Sequence, residues 1–412
     1  MPHNRNLLGC QRFHAQLLPS GWDCAPLSER IEFEYGFGLT EEIRRPGPYK
    51  VFGSNGVVGL HDEARVAGPG IIVGRKGTVG ATTFTDSPFW PIDTVYYVTK
   101  KKQDDWRYLC VLLKFLDLGR LNAATGVPGL SRRDALAIRG AFPPLEEQRS
   151  IVAVLDAADT AIERANEALR QMWKLRQALL QNLFRRGIGH QEFKNSELGL
   201  VPKAWKIVRL KEVLSEAQYG LSMPMKAKGE YPILRMAAIQ NGDIGMSDLK
   251  YVDLKPDAAN AYLLQKGDVL FNRTNSFEHV GKVGIFRHEQ PAVFASYLIR
   301  LKPNEDMVDS FFLGHMLNTY AVQCRIRRFA TPGVQQVNIN ATNLKSVYVA
   351  LPVGPEGRKE QELIVAVMEC QFQAIKHLEE RIATLRRLKS GLMQDLLTGK
   401  VRVPATLEVA GA

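Results

Sequence analysis

Between residues 147 and 184 apolar positions recur at alternating steps of four and three, in the run EQRSIVAVLDAADTAIERANEALRQMWKLRQALLQNLF, which has no Gly or Pro. The stripe comprises positions 151, 155, 158, 162, 165, 169, 172, 176, 179 and 183, and all but Arg176 are Ile, Leu, Ala or Met. That spacing predicts one long helix with a seam of the coiled-coil type.

The pattern returns 213 residues later, over 360–397, as EQELIVAVMECQFQAIKHLEERIATLRRLKSGLMQDLL, without a gap. Glu147 and Glu360, Gln148 and Gln361, the two IVAV runs, Leu175 and Leu388, and Leu179 and Leu392 are among the identical pairs. The seam keeps its register, with basic Lys389 where the first copy has Arg176, and with polar Gln371 at a core-type position. This is an internal duplication, and each helix is the natural partner of the other. In both copies the first half carries an acidic excess and the second half a basic one. The bias complements each helix dipole and also favours antiparallel packing, which sets acidic halves against basic ones. The polar seam residues Gln371, Arg176 and Lys389 are expected to mark further partners covering the helices.

The repeat is longer than the helix. Pro19, Trp22 and Leu27 recur as Pro202, Trp205 and Leu210, so each unit is a globular segment followed by a long helix, and the second segment is about 30 residues longer. The pattern divides the chain into a lead-in (1–18), a first globular domain (19–143), a central long helix (144–186), a linker (187–201), a second globular domain (202–355), a C-terminal long helix (356–402) and a tail (403–412). Both globular segments alternate short β-prone runs with Gly- and Pro-rich turns. Each includes one further helix, over 106–118 in the first and 309–329 in the second, and Pro352, Pro355 and Gly357 are read as closing the second before its long helix.

Composition narrows the function. The chain is 45% hydrophobic and 24% charged, as a globular protein is, and carries a net charge of +11. A basic excess suggests a polyanionic partner, most plausibly nucleic acid. No apolar run reaches the roughly 18 to 20 residues that span a bilayer. The five scattered cysteines form no CxxC pair, and the N-terminal residues hold no apolar export core, so a cytoplasmic location without membrane contact, zinc or a disulfide framework is expected. There is no GxxxxGK[ST] loop, adenine-methyltransferase NPPY-type motif, HExxH helix or GxSxG elbow, and the histidines do not cluster with carboxylates at metal-ligand spacing. No catalytic residue and no metal ligand is assigned.

Binding chemistry gathers instead at matched turns. Arg75 and Lys76 lie in a Gly-flanked turn suited to a phosphate strand. The matching turn holds Arg273 and Asn275. Gln335 and Gln336, after a Pro-Gly turn, are suited to bidentate contact with adenine, and Arg132 and Arg133, read as occupying the corresponding place in the first segment, with guanine or phosphate. Lys226 and Lys228 extend the basic surface. Ile151, Leu155, Ile162, Leu169, Ile364, Ile375, Ile382 and Leu392 on the helices are assigned to partner binding.

The PPLEEQ entry at 143–148, the two EQxxIVAV stretches, and the turns GRKGxxG and NRTNSxExVGK make the chain resemble the specificity subunit of type I restriction-modification systems. The resemblance implies an α+β fold, in which a globular α/β target recognition domain plus a long helix is duplicated in tandem and the two helices pack as an antiparallel coiled coil. It implies that each domain reads one half of a split, asymmetric site in double-stranded DNA. The helices would set the spacer and dock two DNA methyltransferase (modification) subunits. Restriction (translocase/endonuclease) subunits would complete the complex. S-adenosylmethionine, ATP and Mg would be bound by those partners, with no cofactor on this chain. A helix of 38 residues is about 57 Å long, the length of about 17 base pairs. Two other readings remain: a non-catalytic coiled-coil scaffold, and a degenerate nuclease or methyltransferase component.

Overall fold

A computed structural model describes residues 18–121, 129–333 and 336–404. The chain forms two compact units. One holds residues up to Asn166 together with those from Glu380 onward; the other holds Glu167–Glu379. Each unit contains one globular segment, the beginning of the long helix that follows it, and the end of the other long helix.

The first long helix is Leu145–Arg186 and the second Gly354–Leu397. The second begins earlier than the sequence suggests, since Pro355 and Gly357 sit in its first turn rather than before it. A proline costs nothing there, because the first N–H groups of a helix have no partner within it. Within each unit the helices run antiparallel. In the first unit Lys389 Nζ donates to both Asp159 oxygens at 2.5 and 2.6 Å, and Arg402 Nη2 to Glu147 Oε2 at 2.7 Å. In the second, Gln371 Nε2 donates to Met172 O at 2.8 Å and Ile188 N to Glu360 Oε1 at 2.9 Å. In both sets numbers rise on one helix as they fall on the other.

The globular segments share one plan. In the first unit a four-stranded antiparallel sheet runs in the order Ile31–Tyr35, Val95–Lys100, Gly70–Gly74, Thr82–Thr85. In the second, Leu214–Tyr219, Leu298–Pro303, Val269–Asn272 and Val283–Ile285 repeat that order, and Asp243–Ile244 and Ile239–Gln240 extend it to six strands. A small side sheet also recurs: Tyr49–Gly53 lies parallel to Phe89–Pro91, as Tyr231–Leu234 lies parallel to Val293–Phe294. About half of the extra length of the second segment lies between Leu234 and Val269, where a hairpin and the helix Pro256–Asn260 are inserted.

Two other expectations change. Residues 309–329 form two helices, Ser310–Leu317 and Tyr320–Arg327, because the Thr319 hydroxyl accepts from Val322 N at 3.4 Å and starts a new one. The linker contains a hairpin in which Phe193–Ser196 pairs with Gly199–Pro202. The first core packs Ile31, Phe33, Tyr108 and Leu112 against Ile151, Leu155, Leu396 and Leu397 of the helices. The second packs Trp205, Phe271, Phe312 and Val349 against Leu180, Ile364 and Met368. Each globular core is thus continuous with the helix pair.

Candidate nucleic-acid interface

The repeated Glu-Gln pair is the joint between each globular segment and its helix. Trp22 Nε1 donates to Glu147 Oε2 at 3.0 Å, and Trp205 Nε1 to Glu360 Oε2 at 3.1 Å. Gln148 Nε2 donates to Pro143 O at 2.9 Å while its Oε1 accepts from Asp105 N at 2.7 Å; Gln361 does the same with Pro352 O at 2.8 Å and Asp309 N at 2.8 Å. Asp105 and Asp309 in turn cap the helices Trp106–Leu116 and Ser310–Leu317. A buried amide side chain must find partners. Here its partners pin three elements at once. Burial works against the charge of Glu147, yet Arg402 and Trp22 hold its carboxyl below the usual carboxylate range.

The same scaffold aims the basic turns. Gly80 N donates to Gly74 O and Gly74 N to Ala81 O, both at 2.8 Å; Gly281 N donates to Asn272 O and Asn272 N to Lys282 O, also both at 2.8 Å. Arg75 N donates to Thr94 O and Arg273 N to Tyr297 O, both at 3.0 Å. Leu130 N then donates to Arg75 O and Ile339 N to Arg273 O, both at 2.9 Å. Arg75 and Arg273 are therefore equivalent residues. Each guanidinium lies over a tyrosine that ends its strand, at 5.3 Å from the Tyr35 ring centroid and 4.9 Å from that of Tyr219. Arg75 also donates to Asp93 O at 3.2 and 2.6 Å, and Arg273 to Ser296 O at 3.4 Å and Asn338 Oδ1 at 3.2 Å. Sequence reasoning missed both tyrosines, although each closes the second strand after the repeated tryptophan.

The other assigned residues distribute as follows. Lys76 is exposed beside Arg75. Arg132 donates to Glu32 Oε1 at 3.2 and 2.9 Å and lies 5.7 Å from the Tyr35 ring, so it joins the Arg75 group; Arg133 is exposed on the same short helix, Arg132–Leu136. That helix matches Ala341–Lys345, each being capped by the preceding Ser131 or Asn340, so Arg132 and Arg133 correspond to Ala341 and Thr342 and not to the glutamines. Asn275 lies on the short strand paired with Val337–Asn338, and exposed Gln336 precedes that strand; Gln335 lies outside the described residues. Lys226 belongs to the edge of the three-stranded side sheet, ion-paired with Asp253 at 2.6 Å, and Lys228 is exposed nearby in sequence. The structure thus groups Arg75, Lys76, Arg132 and Arg133 in one unit and Arg273, Asn275 and Gln336 in the other, and leaves Lys226 and Lys228 on a separate edge.

Five of the eight helix assignments require correction. Ile151, Leu155, Ile364, Ile375 and Ile382 are buried inside this chain, while Ile162, Leu169 and Leu392 are half-buried. A fully buried side chain has no surface to offer another protein, so the seam serves the chain's own packing. Gln371, Arg176 and Lys389 likewise find partners within their units: Arg176 Nη1 donates to Gln371 Oε1 at 3.4 Å, and Lys389 bonds Asp159. Among large apolar residues of the two long helices the exposed ones are Leu175, Leu363, Val367 and Leu388, of which Leu175 and Leu388 are identical partners in the repeat.

Among the described residues, no three His, Cys, Asp or Glu side chains gather to hold a metal, and no helix is long and apolar enough to cross a membrane.

A family profile described as the type I restriction modification DNA specificity domain matches residues 19–171 and 202–387. The specificity subunit of the type I restriction enzyme MjaVIII from Methanocaldococcus jannaschii is 27% identical over 314 residues, covering 74% of this chain and 72% of that one. That of EcoKI from Escherichia coli K12 is 25% identical over 301 residues, covering 71% and 63%. A further M. jannaschii relative, designated MjaX, is 31% identical over 211 residues; the match covers 50% of this chain and 49% of that protein, so the chain spans about half its length. The crystal structure of a type I restriction-modification S subunit from M. genitalium superposes with a TM-score of 0.56 at 16% identity, covering 96% of this chain and 98% of that one. At that identity the likeness speaks for the fold.

Proposed function

The chain belongs to the type I restriction modification DNA specificity family, and from that premise we propose that it is the non-catalytic subunit that selects the DNA sequence for a restriction-modification complex. Each unit reads one half of a bipartite, asymmetric site in double-stranded DNA. The observation that carries this reading is the repeated turn. In both units an arginine is locked over a strand-ending tyrosine, and exposed side chains follow it, Lys76 in one unit and Ser276 to His279 in the other. Locked cations, backbone amides and Lys76 fix register on phosphates, while the polar residues around the turn discriminate bases. Those residues differ in chemistry, the Arg132–Arg133 helix in one unit and Asn275 with Gln336 in the other, so the two half-sites differ in sequence.

The long helices act as the spacer and as the dock for two modification subunits, which bring S-adenosylmethionine; restriction subunits bring ATP and Mg chemistry. With the seam consumed internally, docking falls to the outer face, where Leu175 and Leu388 repeat. Substituting either by Asp is expected to weaken co-purification of modification subunits while leaving the fold intact. Adding one turn to both helices is expected to widen the non-specific spacer without changing either half-site.

The decisive test is a genome-wide map of N6-methyladenine in cells carrying this chain with its modification subunit, against cells lacking this chain alone. A split, asymmetric motif that disappears with the chain supports the proposal. Methylation that persists unchanged defeats it.

A further inference from the structure

The recognition turn of the second unit contains a device that the first lacks. Between the same pair of backbone hydrogen bonds, the first unit has Arg75-Lys76-Gly77-Thr78-Val79 and the second Arg273-Thr274-Asn275-Ser276-Phe277-Glu278-His279-Val280. The longer turn is not slack. Asn275 Oδ1 accepts from Ser276 N at 2.8 Å, and His279 N and Val280 N both donate to Ser276 O, at 3.0 and 2.9 Å. Val280 is buried and anchors the far end, and Thr274–Asn275 is paired with Val337–Asn338 at the near end. The ordered turn holds Phe277 at its tip with 61% of the residue exposed.

The hydrogen bonds have already ordered the backbone that carries this large apolar ring, so little backbone ordering cost remains when the ring meets a surface. The neighbouring Glu278 says which part of a duplex that surface is. A carboxylate is repelled by the phosphate backbone but accepts from a cytosine amino group, so this tip suits base edges. The first unit's tip, Lys76-Gly77-Thr78, has the opposite character and suits phosphate. We propose that Phe277 is an apolar wedge that stacks on, and partly opens, a base step in the half-site read by the second unit, so that this half is chosen partly by how easily its steps unstack. Pyrimidine–purine steps yield most readily to such a wedge. The inference rests on the reading of the chain as a DNA specificity subunit.

The test uses the complex of the full chain with its modification subunits, and a duplex carrying the motif recovered by methylation mapping. 2-Aminopurine is placed in turn at each step of both half-sites. Modification subunits extrude their target adenines in either half-site, so the reading is the rise in fluorescence that depends on Phe277. The expected result is such a rise at one step of one half-site only, lost in Phe277→Ala while the rise at the target adenines persists, with affinity for the motif falling about tenfold or more in Phe277→Ala. A complex that selects the motif with no rise that Phe277→Ala removes, or whose Phe277→Ala variant binds within about twofold of the parent, overturns the wedge and leaves DNA recognition standing. A complex that does not select the motif overturns the reading beneath it. Because Phe277 lies outside the core, thermal unfolding of Phe277→Ala is expected to match the parent, separating a lost wedge from a lost fold.

Discussion

In the first unit Lys389 meets Asp159; at the matching positions of the repeat the second unit has Arg176 and Phe372, with the guanidinium 5.9 Å from the ring. Three residues before Asp159, Asp156 pairs with Arg107 at 2.8 Å, both groups partly exposed. Its counterpart, Glu369, receives Arg287 in a two-pronged contact at 2.6 and 2.9 Å and His315 Nε2 at 2.8 Å, while Arg287 also lies 4.1 Å from the Phe372 ring. The backbone plan is one and the same; the electrostatics have diverged. Burial raises the pKa of Asp156, and the single Arg107 contact does not overcome it. Burial also opposes the charge on Glu369, but the hydrogen bonds from Arg287 and His315 win and bring it down to about 2. Desolvation lowers Arg176 to about 10 and holds His315 below its ordinary value, that is, neutral. A duplicated helix pair therefore keeps its geometry through the apolar seam and leaves its polar positions free to specialise, because only the seam sets the interhelical packing.

The largest way to break this comparison is Arg287→Ala. It strands Glu369 without its main partner and is expected to cost the second unit about 3–5 kcal/mol. Lys389→Ala, at a pair half open to water, is expected to cost the first unit less than about 1 kcal/mol. Hydrogen exchange followed peptide by peptide in the full chain separates the two units. Equal losses would erase the distinction drawn here.

Acid sharpens the contrast. A carboxylate depressed in the folded state contributes stability that is present above its ordinary pKa and is lost as pH falls toward the folded value. Glu369 therefore supplies on the order of 3 kcal/mol at neutral pH, lost between about pH 4.5 and 2. Neutral His315 acts in the same sense, since its lowered pKa makes protonation in the unfolded chain the stronger. The raised pKa of Asp156 works the other way. On acidification the second unit should open first, and Glu369→Gln should flatten that dependence; a first unit that opens earlier contradicts it.

The tryptophan joints call for a smaller effect. Trp205→Phe and Trp22→Phe each remove one hydrogen bond to a carboxylate and are expected to cost about 1–3 kcal/mol, measurable by urea unfolding. Trp205 should cost more, being fully buried where Trp22 is not. Last, Lys76→Ala is expected to reduce the salt dependence of DNA binding by about one unit of slope, with affinity falling alike on all sequences. Gln336→Ala is expected to change base preference with the slope intact.

Much of this protein follows from its sequence alone. Heptad spacing, the absence of breakers and the second copy determine two long helices in one register, and their charged halves favour an antiparallel run, since local periodicity and summed charge are properties of the chain itself. The repeated tryptophans mark where each globular segment begins for the same reason. Tertiary structure alone decided the rest. It turned Glu-Gln from a helix opening into a joint through hydrogen bonds such as Trp22 to Glu147, between residues 125 positions apart. It engaged Arg75 and Arg273 with carbonyls and tyrosines, and moved Arg132 and Arg133 out of register with the glutamines. It also buried Ile151, Leu155, Ile364, Ile375 and Ile382 of the seam within the chain. A side chain's burial and hydrogen-bond partners depend on which distant segments fold over it, and no local pattern of hydrophobic and polar residues encodes that.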